Sequence, residues 1–332
     1  RKDSFDSGKW SQICELGWAG LVVPEELGGA GLGAMALDKV CRQMGRVVAP
    51  EPLLECGIGS VGVLSKIPGA ADLLGDVMKG KHLIGTALTE PEEFADVRGR
   101  EKFGGRTRSD CLSGYFPCIP LACEMDSFII RANSKSSNEL YLVPANTPGL
   151  TLTTKTLSDG GIAGDLTLEN VNLGHVRKLA LGDKAESALT YGRDLSRIAA
   201  SSYLVGLAEG ILDITLDYLK TRHQFGKPIG SFQSLQHRAV DLYIKKVLAI
   251  SCLEESCRNF DYTNTTRARS TAASRAKYRA TETALQCARQ AVQMHGGIGY
   301  TDECSVGLYL NRALVIAAWL GNSGFHARKL TS

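Results

Sequence analysis

The string TRHQFGKPIGSFQSLQH, Thr221 to His237, decides how the rest of the chain is read. It puts Arg222, Gln224 and Phe225 at the end of one predicted helix and Gln233, Gln236 and His237 at the start of the next. A guanidinium can fork onto pyrophosphate oxygens, an amide can read polar edges, and a phenyl face can lie against a ring. The segment can form a dinucleotide-binding corner, but by residue types alone it reads more readily as an ordinary helix-helix corner with Gly226 and Pro228 as turn residues, since Arg and Phe near a Gly-Pro turn are common.

Outward from that corner the pattern is helical on both sides. Alanine-rich stretches with three-four apolar spacing run over Lys184 to His223, Gln233 to Asn259 and Thr266 to His295. Long helices without heptads predict a helical bundle over 181–332. One of them ends in VQMHGGIGY, Val292 to Tyr300, where the paired Gly296 and Gly297 let a ligand approach the backbone beside Gln293. A glycine helix cap reads equally well there. Neither a P-loop nor a Rossmann fingerprint is present, because no strand precedes the glycines and no GK[ST] follows them.

Toward the N-terminus, over 83–180, the apolar period shifts toward two. SFIIRAN, ELYLVPA, GLTLTTKTL and DLTLENVNL, separated by Gly, Asn, Asp and Pro, predict a small antiparallel sheet domain. Over 1–82 short helices flank the loop PEELGGAGLGA. The expected fold class is therefore α+β, mostly α, in three domains.

The chain has 332 residues, 44% of them apolar, enough for a large core. Lys plus Arg number 38 against 35 Asp plus Glu, without a basic run, so no nucleic-acid partner is expected. The ten cysteines stand singly, with no CxxC pair, as reduced thiols of a cytoplasmic protein would. Six scattered histidines give no metal-ligand spacing, and His237 and His295 are expected to cap or pack. No bilayer-spanning run and no signal-peptide core is apparent, so membrane insertion and export are not expected.

The full strings resemble the acyl-CoA dehydrogenases. RHQFGKPIGSFQSLQH, the later QMHGGIGY, the early WAGLVVPEELGGAGLG and the TEP at Thr89 to Pro91 match that family in order and spacing over nearly the whole chain. The resemblance implies an N-terminal helical domain, a middle β domain and a C-terminal four-helix bundle. It further implies an FAD extended between two subunits. Arg222, Gln224 and Phe225 would meet its adenine-side half, and Gln293, Gly296 and Gly297 would meet it from the neighbouring subunit. The family's reaction takes an α proton from an acyl-CoA thioester with a glutamate, passes the β hydride to flavin, and hands electrons to an electron-transferring flavoprotein.

At the two positions where the family keeps that glutamate, this chain has Ser196 and Leu320. Ser196 lies ten residues before Gly206; Leu320 stands where a YEGT-like string would carry the acid, and Asn322 and Gly324 replace the residues that follow. Serine is no base at neutral pH without an activating partner. Asp194 and Glu209 are nearby carboxylates on the same predicted helix, and Asp194 is the candidate for a relocated base. The flavin-side loop also departs from TEPxxGSD, reading TEPEEFADV from Thr89 to Val97.

Short chains with this ending are similar to the small subunits of paired, steroid side-chain type dehydrogenases that form α2β2 tetramers. Three functions stay open: a subunit completing a partner's FAD site, a homotetrameric dehydrogenase with a relocated base, and a non-catalytic structural paralogue.

Overall fold

The computed structural model describes residues 5–94, 103–108, 110–134 and 137–331. The chain divides into two compact units. The first comprises Arg1–Leu37, Glu51–Ser196 and Asn264–Ser270, and the second Asp38–Pro50, Arg197–Thr263 and Thr271–Ser332.

In the first unit, helix α1 (Ser7–Glu15) starts where the Asp6 carboxylate accepts from the Lys9 N–H at 3.0 Å. Its one apolar face buries Trp10, Ile13 and Cys14. After α2 (Gly33–Arg46), a π-helical stretch at Leu53–Ile58 leads into α3 (Gly59–Leu64) and then α4 (Ala71–Met78).

The predicted β region forms an eight-stranded sheet. Its strands are β1 (Ile84–Thr86), β2 (Gly104–Arg108), β3 (Cys111–Pro120), β4 (Ser127–Asn133), β5 (Asn138–Pro144), β6 (Leu150–Thr156), β7 (Ile162–Asn172) and β8 (Arg177–Leu181). The spatial order is β6-β7-β3-β2-β4-β5-β8, with β1 also on β4.

Most pairings are antiparallel, as expected for this region, but β1 and β2 both run parallel to β4. Ile84–Thr86 pair with 127–129, and Gly105 and Arg106 with 132 and 133. Period-two spacing marks a strand and is silent on its direction. Close hairpins force antiparallel pairs, whereas β1 and β2 reach β4 by longer connections. The edge strand β6, LTLTTKT, is largely exposed, and its threonines and lysine suit an unpaired edge.

In the second unit the main helices are α5 (Gly182–Thr221), which enters it at Arg197, α6 (Gln233–Tyr262), α7 (Thr266–His295), α8 (Val306–Ala318) and α9 (Ser323–Thr331). A glycine inside a helix costs about 1 kcal/mol relative to alanine, and here packing requires it. A Cβ on Gly206 would sit 2.0 Å from the Arg42 carbonyl, and one on Gly210 2.2 Å from that of Arg46, so the C-terminal part of α2, which belongs to this second unit, lies directly on α5. Tyr203 Oη then donates to Ala49 O at 2.8 Å, and Tyr309 Oη to Arg46 O at 2.6 Å.

Among the described residues one 18-residue window of α5 is apolar enough to cross a membrane by length and composition, contrary to the expectation of no bilayer-spanning run. Some 83% of that window is buried within the protein.

Candidate functional site

The two strings singled out in the sequence end α5 and α7, and the second unit brings those ends together. Tyr218, one turn before Arg222, stacks on His295, the residue before Gly296, with ring centroids 4.3 Å apart and planes 21° apart. Tyr218 Oη also donates to His295 O at 3.3 Å. His295 is buried, its Nδ1 contacting Ala291 O at 2.8 Å, so its role is packing. The start of α6 joins the same corner, because Arg238 Nη1 donates to Gln290 Oε1 at 3.0 Å.

Between α5 and α6 the chain makes a tight hairpin. Gln224 pairs with Lys227 and His223 with Pro228, while Ile229 N donates to Arg222 O at 2.8 Å. The two turn residues, Phe225 (φ 52°) and Gly226 (φ 78°), are both left-handed, the backbone of a type I′ hairpin. Glycine takes that conformation freely; a bulky residue there costs about 1–2 kcal/mol. Phe225 nevertheless adopts it and presents its ring at 90% exposure, in a T-shaped contact with Phe232 at 6.1 Å. Strain combined with an exposed ring is the pattern of a side chain held out for contact.

Arg222, Gln224, Phe225, Gln293, Gly296 and Gly297 are all exposed in this corner. No side chain caps the N-terminus of α6, so its first-turn N–H groups and positive dipole end add to the Arg222 charge. A Cβ at Gly296 or Gly297 would meet no atom within 4 Å, so both glycines border open space. A charge-complementary, glycine-bordered surface with a free aromatic face fits a phosphate-bearing ring system such as FAD.

The base positions have the opposite character. In the first unit Ser196 is fully buried and its Oγ donates back to Gly192 O at 2.8 Å. A Cβ on Gly59 would lie 3.1 Å from that Oγ and 2.8 Å from Leu88 Cδ1, while one on Gly192 would lie 2.8 Å from Gly59 O. Glycines let α3 and α5 touch there and leave no room for a longer side chain.

Asp194, also buried, accepts a short hydrogen bond from Ser270 Oγ. Its neighbour Arg193 donates from Nε to Leu88 O at 2.7 Å and from Nη1 to Glu90 Oε1 at 3.0 Å, which fixes the start of the TEP segment. Ala95 to Val97, the end of that departing loop, lie outside the described residues.

In the second unit Leu320 is 1% exposed and left-handed (φ 61°), in the turn between α8 and α9. Its carbonyl accepts from Arg197 Nε and is met by His326 Nε2, each at 3.1 Å. Lys277, fully buried, donates from Nζ to Ala317 O and Gly321 O, also at 3.1 Å each. The cationic side chains thus complement the carbonyl end of α8. Burial, reinforced by Arg197 and Lys277, pushes the His326 pKa down to about 2. Glu209, the other carboxylate on α5, is held above its usual range by burial, although Arg42 opposes this.

The sequence did not announce Tyr218, Arg238, Arg197, Lys277 or His326. Tyr218 could have been found by counting one helical turn back from Arg222. A lysine in an alanine-rich helix carries no sign that it will be buried. None of the ten cysteines is in a disulfide; Cys14, Cys41, Cys56, Cys257 and Cys287 are buried, whereas Cys118 and Cys123 are exposed. Among the described residues no three His, Cys, Asp or Glu side chains gather as a metal site.

This arrangement is that of a known class. The family described as "Acyl-CoA dehydrogenase, C-terminal domain" matches residues 187–331, and "Acyl-CoA dehydrogenase, N-terminal domain" matches 1–65. The chain belongs to the acyl-CoA dehydrogenase family, whose members are oxidoreductases acting on the CH–CH bond of acyl-CoA thioesters.

Among individual relatives, the acyl-CoA dehydrogenase IpdE2 of Mycobacterium tuberculosis is 30% identical over 93% of this chain and 81% of its own. A solved structure titled as the Tcur3481-Tcur3483 steroid ACAD G363A variant is 30% identical, with a TM-score of 0.85 over 99% of this chain and 89% of that one. The ChsE4-ChsE5 complex of Mycobacterium tuberculosis, at 23% identity and a TM-score of 0.85 over 98% of this chain and 87% of that one, shares the fold.

Proposed function

We propose that this chain is one subunit of a hetero-oligomeric acyl-CoA dehydrogenase and completes the FAD site of a homologous subunit that carries the catalytic glutamate. One contrast carries this reading: the corner at the ends of α5 and α7 is exposed, charged and open, while both base positions are packed shut.

Arg222 would bind pyrophosphate oxygens, Phe225 and Gln224 would contact the adenine-side half, and Gln293, Gly296 and Gly297 would line the same cofactor. Because the ends of α5 and α7 meet within this chain, all six would reach it from this one subunit, whereas the resemblance sets only the last three on a neighbouring one. FAD bound there would supply the hydride acceptor for desaturation of the acyl-CoA thioester. The chain's own residues bind and orient; the proton-abstracting carboxylate comes from the partner.

The relatives support this reading. IpdE2 is named an acyl-CoA dehydrogenase, and the 30% identical structure carries two chain names and the words steroid ACAD. We further propose an α2β2 assembly, with a steroid or fatty acyl-CoA as substrate, an electron-transferring flavoprotein as electron acceptor, and a cytoplasmic location.

The test is expression of the chain alone and together with a glutamate-bearing dehydrogenase subunit from the same genome. The expected result is a flavin-loaded, acyl-CoA-reducible complex only for the pair. A chain that alone is yellow and bleaches with acyl-CoA would overturn the proposal in favour of a relocated base such as Asp194. Absence of flavin from chain and pair alike would favour the structural paralogue.

A further inference from the structure

A bulge in β3 brings a thiol, an amine and a carboxylate onto one face of the sheet. Phe116 pairs with Leu166 and Ile119 with Gly164, so Pro117 and Cys118 together oppose Asp165 alone. Phe116 and Ile119 are buried, whereas Cys118 is exposed and left-handed (φ 54°). On the other side of β7, Asp165 pairs with Thr153 of β6, and Lys155 stands two residues on, on the same face as Thr153.

Asp165 ties these groups together. Its Oδ1 accepts from the Cys118 N–H at 3.1 Å, and its Oδ2 accepts from Tyr115 Oη at 2.6 Å and from Lys155 Nζ at 2.5 Å. Lys155 therefore leans from the edge strand across β7 toward β3. Its own partner on β7 is Ala163, followed by Gly164, so no long side chain blocks that path. Neighbouring strands lie about 4.8 Å apart, which leaves the ammonium one strand spacing from the strand that carries the thiol.

We propose that Cys118 and Lys155 are the two ends of a reversible S–O–N cross-link, a modification site that joins β3 to the edge strand β6 when hydrogen peroxide oxidises the thiol. The thiol and the ammonium together lose four electrons, and two molecules of peroxide are reduced. One peroxide oxygen becomes the bridge, the other three leave as water, and one proton is released. The S–H bond and two N–H bonds break, and S–O and O–N bonds form.

Partial desolvation in the bulge, and then Asp165, raise the Cys118 thiol above its usual range, with Lys155 opposing. The thiol is thus no resting thiolate, and an amine beside it matters most after the first oxidation to sulfenic acid. Cys123, the other exposed cysteine, contacts Glu124 Oε1 at 3.7 Å and serves as the internal comparison.

The experiment treats the purified chain with millimolar hydrogen peroxide and maps its peptides by mass spectrometry. The expected product joins the Cys118 and Lys155 peptides at about 14 Da above their sum, one oxygen gained and two hydrogens lost. Dithiothreitol should return both peptides unmodified. Cys118→Ser and Lys155→Arg should each abolish the product, and Asp165→Asn should lose most of it.

Cys118 found only as sulfinic or sulfonic acid, with Lys155 unmodified, overturns the cross-link. So does a Cys118 that stays reduced while Cys123 is oxidised, or a bridge from Lys155 to Cys123. Full yield in Asp165→Asn overturns the part assigned to the carboxylate.

Discussion

The corner around Arg222 and the turn around Leu320 are both helix ends of one unit, yet they are built in opposite ways. At the corner, charged and amide side chains stay exposed, a phenylalanine is held out on a left-handed turn, and two glycines face open space. At the turn, Arg197 and Lys277 are fully buried and donate to backbone carbonyls, with His326 against the same turn. Exposed polar groups can meet a ligand; buried ones satisfied by carbonyls hold a shape. Ser196, in the other unit, is packed in the same closed manner. The missing base is therefore a feature of the packing as well as of two residue identities.

The strongest way to break this contrast is to put the acid back. Ser196→Glu places a carboxylate where Gly59 and Leu88 already fill the space, and an uncompensated buried charge costs about 3–5 kcal/mol. Thermal denaturation should show that loss, and the variant should not bleach flavin with acyl-CoA. A stable variant with dehydrogenase activity would show that the position is open.

Next in size is Arg222→Ala. Losing a charge-assisted contact should weaken FAD retention by about 1.5–3 kcal/mol, roughly 10- to 150-fold in affinity. Flavin per complex after dialysis measures it, with the melting temperature of the chain alone unchanged. Unaltered flavin content would remove Arg222 from the site.

The closed turn has its own pH signature. His326 is neutral when folded, its pKa pushed down to about 2, whereas an unfolded histidine titrates near 6.5. The unfolded state therefore takes up the proton first. The stability due to the neutral form is complete above about pH 6.5 and declines as pH falls toward the folded value. Between pH 7.5 and 5 the loss should be about 2 kcal/mol. Urea melts at the two pH values test this, and His326→Gln should remove the difference.

The smallest effect separates binding from folding within the corner. Gly296 is left-handed, whereas Gly297 is not, and both are open. Gly297→Ala should change stability by less than about 0.5 kcal/mol, yet the added methyl group should reduce flavin content if the backbone lies against the ligand. Equal flavin in variant and wild type would mean that Gly297 is a helix-end glycine and nothing more.

Much of this was legible in the sequence. Apolar spacing and alanine-rich composition located α5, α6 and α7 to within a few residues, because long helices repeat their signal over many turns. The glycine pair and the Arg222 string marked the candidate corner through local chemistry. The sheet was legible as strands and less so as topology, since alternation does not encode direction, and β1 and β2 turned out to run parallel to β4.

By itself the sequence determined the family and the absence of a glutamate at residues 196 and 320, because both are carried by residue identity and order. Only the tertiary structure decided that the ends of α5 and α7 meet through Tyr218 and His295, and that the base positions are sealed. Those facts depend on which side chains become buried, and burial is fixed by what packs against a residue from distant parts of the chain.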